Sequence, residues 1–202
     1  MTLTKKSRWS FNFSTASLVL IPAAVGINYI GKFFAGALKL PLWLDSIGTV
    51  LASMLAGPVI GALSGAINNI IYGLTADPIS LVYAITSVAI GITVGILAYK
   101  GWMDSWPKAL FSGIIVALVS AVVSTPLNIK FWGGQTGNFW GDSVFAFLIA
   151  NKYPVLIASF VDEILVDIPD KIATILVSYA IFRGLPNKLT LVYKNESEIE
   201  KL

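Results

Sequence analysis

Apolar residues run along this chain in long blocks separated by short polar breaks. The most informative block is 40–73, LPLWLDSIGTVLASMLAGPVIGALSGAINNIIYG. It is almost wholly apolar and is punctured by Asp45, Asn68 and Asn69. Gly57-Pro58 breaks it at the centre. A proline cannot continue a helical hydrogen-bond ladder and most simply opens a new helix at its first turn. The pattern therefore predicts two helices, Leu42–Ala56 and Pro58–Tyr72, joined by a tight turn. Gly57, Gly61 and Gly65 recur every four residues, with Ala62 and Ala66 beside them. Such a face lets a neighbouring helix approach closely.

The other blocks predict four more long helices. The first is Ser14–Leu38, with Pro22 as a kink point and Asn28 and Lys32 in its second half. A turn at Thr75-Ala76-Asp77-Pro78 leads into Ile79–Tyr99, which carries Gly91 and Gly95 and the hydroxyls of Tyr83, Thr86 and Ser87. The polar connection 100–108 holds Trp102 and Trp106, as an interfacial aromatic belt would. Ala109–Asn128 follows, with Pro126 near its end. The longest non-helical stretch is expected at 130–153, opening with FWGGQTGNFWGD and holding a short helix at Ser143–Ala150. The last helix ends at Phe182 and starts at Pro154 or at Pro169, since a proline can open a helix or kink one.

Composition sets the environment. The chain has 202 residues, is 56% hydrophobic and 12% charged, and has a mean hydropathy of +0.79. Soluble domains carry about 25% charged residues. The expectation is an all-α integral membrane protein of one domain, a six-transmembrane-helix bundle over about 14–182. Tails at 1–13 and 183–202 complete it. The basic start resembles a signal peptide, but the apolar stretch runs past Pro22 without a small-residue cleavage site, so a retained helix is expected. With six spans both termini share a side. Nine of the 14 basic residues (Lys5, Lys6, Arg8, Lys100, Lys108, Arg183, Lys188, Lys194 and Lys201) then fall with the termini. That asymmetry predicts cytoplasmic termini in a multi-pass plasma-membrane protein. The net charge of +3 is read as membrane orientation, not nucleic-acid binding.

This topology sends the polar interruptions to one side. Asp45, Asn68, Asn69, Tyr72, Tyr83, Thr86 and Asn128 lie near outer helix ends, and Asp162, Glu163, Asp167, Asp170 and Lys171 precede or open the last helix. With Trp132 and Trp140 in the glycine- and aromatic-rich loop, they form a candidate ligand pocket with a lid. An intramembrane carboxylate such as Asp45 is costly unless paired or facing a polar cavity. Structural readings stand beside these: Asn68 and Asn69 as interhelical hydrogen bonders, Asp167 and Lys171 as an i,i+4 ion pair, and the tryptophans as interface anchors.

Enzymatic chemistry has little to work with. Cysteine and histidine are absent, which removes thiolates, imidazoles, disulfides and the usual zinc sites. No G-x-x-x-x-G-K-[ST] loop exists, so the chain does not hydrolyse ATP alone. Neither catalytic residues nor a metal or cofactor are assigned. A lipid-headgroup enzyme built on Asp162, Glu163, Asp167 and Asp170 would need a metal and interfacial acids.

Three stretches carry a family resemblance: 40–73 as quoted, PISLVYAITSVAIGITVGILAYKG at 78–101, and IPDKIATILVSYAIFRGLP at 168–186. Together they resemble the substrate-binding S components of energy-coupling factor (ECF) vitamin transporters. The resemblance implies a six-helix subunit that captures a vitamin at its outer face. It further implies docking on a transmembrane coupling subunit and two ATPase subunits, and delivery of the vitamin inward. The likeness is greatest to cobalamin-type members, with thiamine and pantothenate as alternatives; a membrane protein that binds a ligand without transporting it is the alternative from another class. The family docks through small residues on its first helix, often Ala-x-x-x-Ala. Here Ala16 and Ala24 are eight apart with Leu20 between them, so Ala16, Ala23 and Ala24 are the docking candidates.

Overall fold

A computed structural model of the chain describes residues 15–186, together with 190 and 193. The basic tail at 1–13 and most of the tail at 183–202 lie outside the described residues. The described residues form seven α-helices and no strand: α1 (Thr15–Ala37), α2 (Ile47–Ala56), α3 (Pro58–Thr75), α4 (Ala84–Tyr99), α5 (Trp106–Trp132), α6 (Phe139–Ala150) and α7 (Val155–Gly184). A 3-10 turn, Pro78–Leu81, precedes α4. Two of these helices, α1 and α5, are long and apolar enough to cross a membrane.

The short helix α2 is the centre of the bundle. Every residue from Gly48 to Met54 is buried, as expected of a helix apolar all round. It touches α1, α3, α4 and α7. It starts at Ile47 rather than at Leu42 because the backbone of 43–44 is otherwise engaged. The N–H groups of Trp43 and Leu44 both donate to Asp170 Oδ1, at 2.9 and 2.8 Å, and Leu44 has φ 51°. The first turn of α2 is capped by another helix. Asn28 Oδ1 on α1 accepts from the N–H of Gly48 at 2.7 Å and of Thr49 at 3.3 Å, while its Nδ2 donates to Thr49 Oγ1 at 2.8 Å. These are the N–H groups that a helix start leaves unpaired. The adjacent Ser46, which occupies the ordinary cap position, makes no side-chain cap bond.

The Gly57-Pro58 break occurs as predicted: α2 ends at Ala56 and α3 opens at Pro58. Gly57 has φ 87°, in the left-handed region that favours glycine. The glycine faces serve packing within the chain. A side chain on Gly91 would strike the backbone of Ala62 and Gly61, and one on Gly61 would strike Ser53. Ser53 Oγ bridges the crossing by donating to Thr49 O and Gly91 O at 2.8 and 3.0 Å.

Three further boundaries differ from expectation. α5 runs on to Trp132, past Pro126, and stops at Gly133 with φ 68°. The expected loop 130–153 is therefore mostly helix, and only 133–138 lies between α5 and α6. α6 begins at Phe139, not Ser143, because Asn138 caps it by accepting from Trp140 N–H at 3.0 Å. α7 is one helix of 30 residues with Pro169 inside it, so the acids at 162–170 lie within the helix rather than before it. That length corresponds to about 45 Å.

Polarity is divided along the bundle. At one end Met54, Val94, Leu97, Met103, Val116 and Ile175 form an apolar core with Tyr179, whose hydroxyl donates to Asp104 O at 3.2 Å. Elsewhere the buried side chains include the charged Asp162, Glu163, Asp167, Asp170 and Lys171. Among the described residues more polar and charged side chains are buried than apolar ones. Large apolar residues such as Leu18, Ile30, Phe33, Phe111, Val122 and Leu165 face outward.

Candidate functional site: a charged cavity at one end of the bundle

α7 supplies the spine of the site. Glu163, Asp167 and Lys171 follow one another at four-residue spacing, so they share one face of the helix. All three are buried, at 5%, 1% and 3% exposure. Lys171 is the electrostatic hub. Its Nζ lies 2.5 Å from Asp170 Oδ2, 3.6 Å from Asp167 Oδ1 and 3.9 Å from Asp45 Oδ1. A second cation, Lys32 on α1, donates to Ser80 Oγ at 2.7 Å, lies 4.0 Å from Asp45 Oδ2, and stands 4.7 Å over the Tyr72 ring. Asp45 is thus held between two ammonium groups on helices from opposite ends of the sequence.

Lys32, Asp45, Ser80, Glu163, Asp167 and Lys171 line a cavity of about 130 Å³. Its wall is completed by Trp43 and Asp77 from the loops, by Tyr83, Thr86 and Ser87 on α4, and by Ser120 and Ser124 on α5. Thr136 and Gly137 close it from the 133–138 loop. Hydrogen bonds tie the wall together. The Tyr83 hydroxyl donates to Asn128 Oδ1, and Asn128 Nδ2 donates to Glu163 Oε2 at 2.7 Å, joining α4, α5 and α7. Thr86 and Ser124 share a hydroxyl contact at 3.0 Å. The loop is held from both sides. Asp142 Oδ1 accepts from the N–H groups of Thr136 and Gly137 at 3.0 and 3.1 Å, and Thr136 Oγ1 donates to Asp162 Oδ1 at 3.0 Å.

Of the residues singled out by sequence, Asp45, Tyr83, Thr86, Asp167 and Lys171 meet in the cavity wall. Others stand one layer behind it. Asn128 braces Tyr83 and Glu163, Asp162 braces Thr136, and Asp170 holds Lys171 and the 43–44 backbone. Asn69 bonds Ser87 Oγ from α3, and Tyr72 carries Lys32 on its ring face. Asn68 is fully buried, and neither polar atom of its side chain finds a partner. The two lid tryptophans fall outside the cavity wall. Trp132 belongs to the last turn of α5, and Trp140 on α6 is 53% exposed. Of the docking candidates, Ala23 is exposed and Ala16 partly so, whereas Ala24 is buried where a side chain on Gly48 would strike it.

Several wall residues escaped the sequence reading as site residues: Asp77, Ser80, Ser120, Ser124 and Thr136. Ser120 and Ser124 had a legible signal, because they stand four residues apart on a largely apolar helix. Thr136 had none, since its position depends on how Asp142 and Asp162 fold the loop. Among the described residues no cluster of acids converges as a metal site. The arrangement is suited to holding a polar ligand by charge and hydrogen bonding.

No family model, curated protein or solved structure matches this chain. Fold and site define it as a class: an all-helical protein with two helices fit to cross a membrane, built around a charged cavity.

Proposed function

We propose that the chain is the substrate-capturing subunit of a membrane uptake system of the ECF type, with the whole bundle embedded as a multi-pass protein. The carrying observation is the cavity of about 130 Å³ lined by buried ionisable side chains at one end of a bundle whose outer faces are apolar. Charged groups inside a membrane bundle are expensive and mark substrate or ion paths. The inside-out distribution of polarity is what a protein solvated by lipid requires, because lipid tails accept apolar faces at no cost. With no nucleotide-binding loop in the sequence, energy comes from separate ATPase subunits through a coupling subunit. Ala16 and Ala23, exposed or partly exposed in the first half of α1, are the docking residues in this reading. The termini face the cytoplasm and the cavity opens outward.

Small-molecule sites commonly enclose roughly 300–1,000 Å³. A cavity of about 130 Å³ favours a compact micronutrient over cobalamin, whose corrin ring and nucleotide arm would need the loops to move apart. The test is equilibrium binding of the purified, detergent-solubilised chain to cobalamin, thiamine, pantothenate, folate, riboflavin and pyridoxine, paired with affinity purification from native membranes. Binding of one vitamin without ATP, with two ATPases and a coupling subunit co-purifying, is expected. Absence of the ATPases from a well-folded preparation refutes the transport role.

A further inference from the structure

The charges around the cavity do not balance. Four carboxylates, Asp45, Asp77, Glu163 and Asp167, face two ammonium groups, Lys32 and Lys171. Both cations are already engaged. Lys171 is held by Asp170 at 2.5 Å, and Lys32 by Ser80 at 2.7 Å with Asp45 at 4.0 Å. One acceptor is left over. Asp167 is 1% exposed, lines the cavity, and its Oδ2 has no hydrogen-bond partner. A buried carboxylate oxygen without a hydrogen-bond partner is costly, and Lys171, 3.6 Å from Oδ1, offsets only part of that cost. A ligand that brings an N–H donor and a positive charge removes that cost. An anion would instead meet the excess carboxylates and compete with Asp170 for Lys171.

Resting on the capture reading above, we infer that the ligand is a compact organic cation bearing N–H donors, such as an amine, amidine or aminopyrimidine, bound against Asp167 and Glu163. The cavity holds on the order of ten water-sized positions, which limits the ligand to a compact molecule. Glu163 keeps Oε2 on Asn128 at 2.7 Å, so the Tyr83–Asn128–Glu163 chain orients the second carboxylate. Asp167 is the direct acceptor.

The experiment is calorimetric titration of the full chain in detergent with five probes. Agmatine and thiamine are cations with N–H donors, choline is a cation without one, nicotinate is an anion and pyridoxine is neutral. At least one of the first two is expected to bind at least about tenfold more tightly than the other three. Asp167→Asn is expected to weaken that binding by about tenfold or more. Should that variant fail to fold, the wild-type chain still decides through the ranking of the five probes. Preferential binding of nicotinate or pyridoxine, or failure of both N–H cations at millimolar concentration, overturns the inference. The capture role is judged separately by co-purification of the ATPases, so the two can fail independently.

Discussion

Replacing Asp170 tests the structural logic of the site most directly. Its carboxylate is fully buried and uses both oxygens. Oδ1 accepts from the backbone of Trp43 and Leu44, and Oδ2 takes the Lys171 ammonium at 2.5 Å. Asp170→Ala removes three charge-assisted contacts. Hydrogen bonds to charged groups are worth about 1.5–3 kcal/mol each, but Lys171 keeps Asp167 at 3.6 Å and Asp45 at 3.9 Å, so the losses do not simply add. Breaking a buried ion pair by removing one partner costs about 3–5 kcal/mol, which sets the expected loss. For a chain of this size that lowers the unfolding midpoint by about 6–20 °C, at roughly 2–4 °C per kcal/mol. Asp170→Asn keeps an acceptor for the two N–H groups and turns an amide N–H₂ toward Lys171, so about half the loss is expected. The double variant Asp170→Ala/Lys171→Met should lose less than the sum of its two single variants, by about 1–3 kcal/mol. Thermal unfolding of the purified protein in detergent, followed by tryptophan fluorescence, reads all four variants. A midpoint for Asp170→Ala within about 1 °C of wild type refutes the claim that Asp170 fastens the α1–α2 loop to α7.

Asn28→Leu should cost about 2–4 kcal/mol, since it strands the N–H groups of Gly48 and Thr49 inside the bundle; the same melting assay checks it, and an unchanged midpoint would show that α2 needs no cap from α1. Gly91→Val should separate α3 from α4, because its Cβ would meet the Ala62 backbone; a monodisperse gel-filtration peak with wild-type stability would contradict the crossing geometry. Trp140→Ala should leave ligand affinity within about twofold of wild type, since this side chain is exposed and outside the cavity wall, whereas Asp45→Asn should weaken it by about tenfold; the reverse ranking would move the site toward α6.

The sequence is most legible where the backbone has little choice. Gly57-Pro58 ends one helix and opens the next in both readings, because proline and a left-handed glycine leave one solution. The apolar blocks likewise give the order of the helices, although α2, expected from Leu42, begins only at Ile47 and is ten residues long. Legibility falls where a distant side chain decides a local matter. Residues 42–46 have the composition of helix, yet Asp170, more than 120 positions away, takes two of their N–H groups and holds them out of the helix. The aromatic stretch 130–153 suggests a loop by its glycines, yet Asn138 and Asp142 organise it into a short loop and a helix. Pro169 offers a helix start by local rules, but the packing of α7 against α5 and α2 carries the helix through it.

The same distinction explains why acids were easier to find than their roles. An aspartate in an apolar block announces a polar partner, so Asp45, Asp162, Asp167 and Asp170 all stand out. Sequence cannot say which of them faces the cavity and which supports the wall, because that depends on helix rotation. Asp167 and Asp170 are three residues apart, about 60° of rotation at 3.6 residues per turn. Asp170 turns to the loop backbone and is fully satisfied, whereas Asp167 turns to the cavity and keeps one oxygen without a partner. That small rotation separates a fastener from a binding group. It is also why neutralising Asp170 should register mainly as lost stability, and neutralising Asp167 mainly as lost affinity.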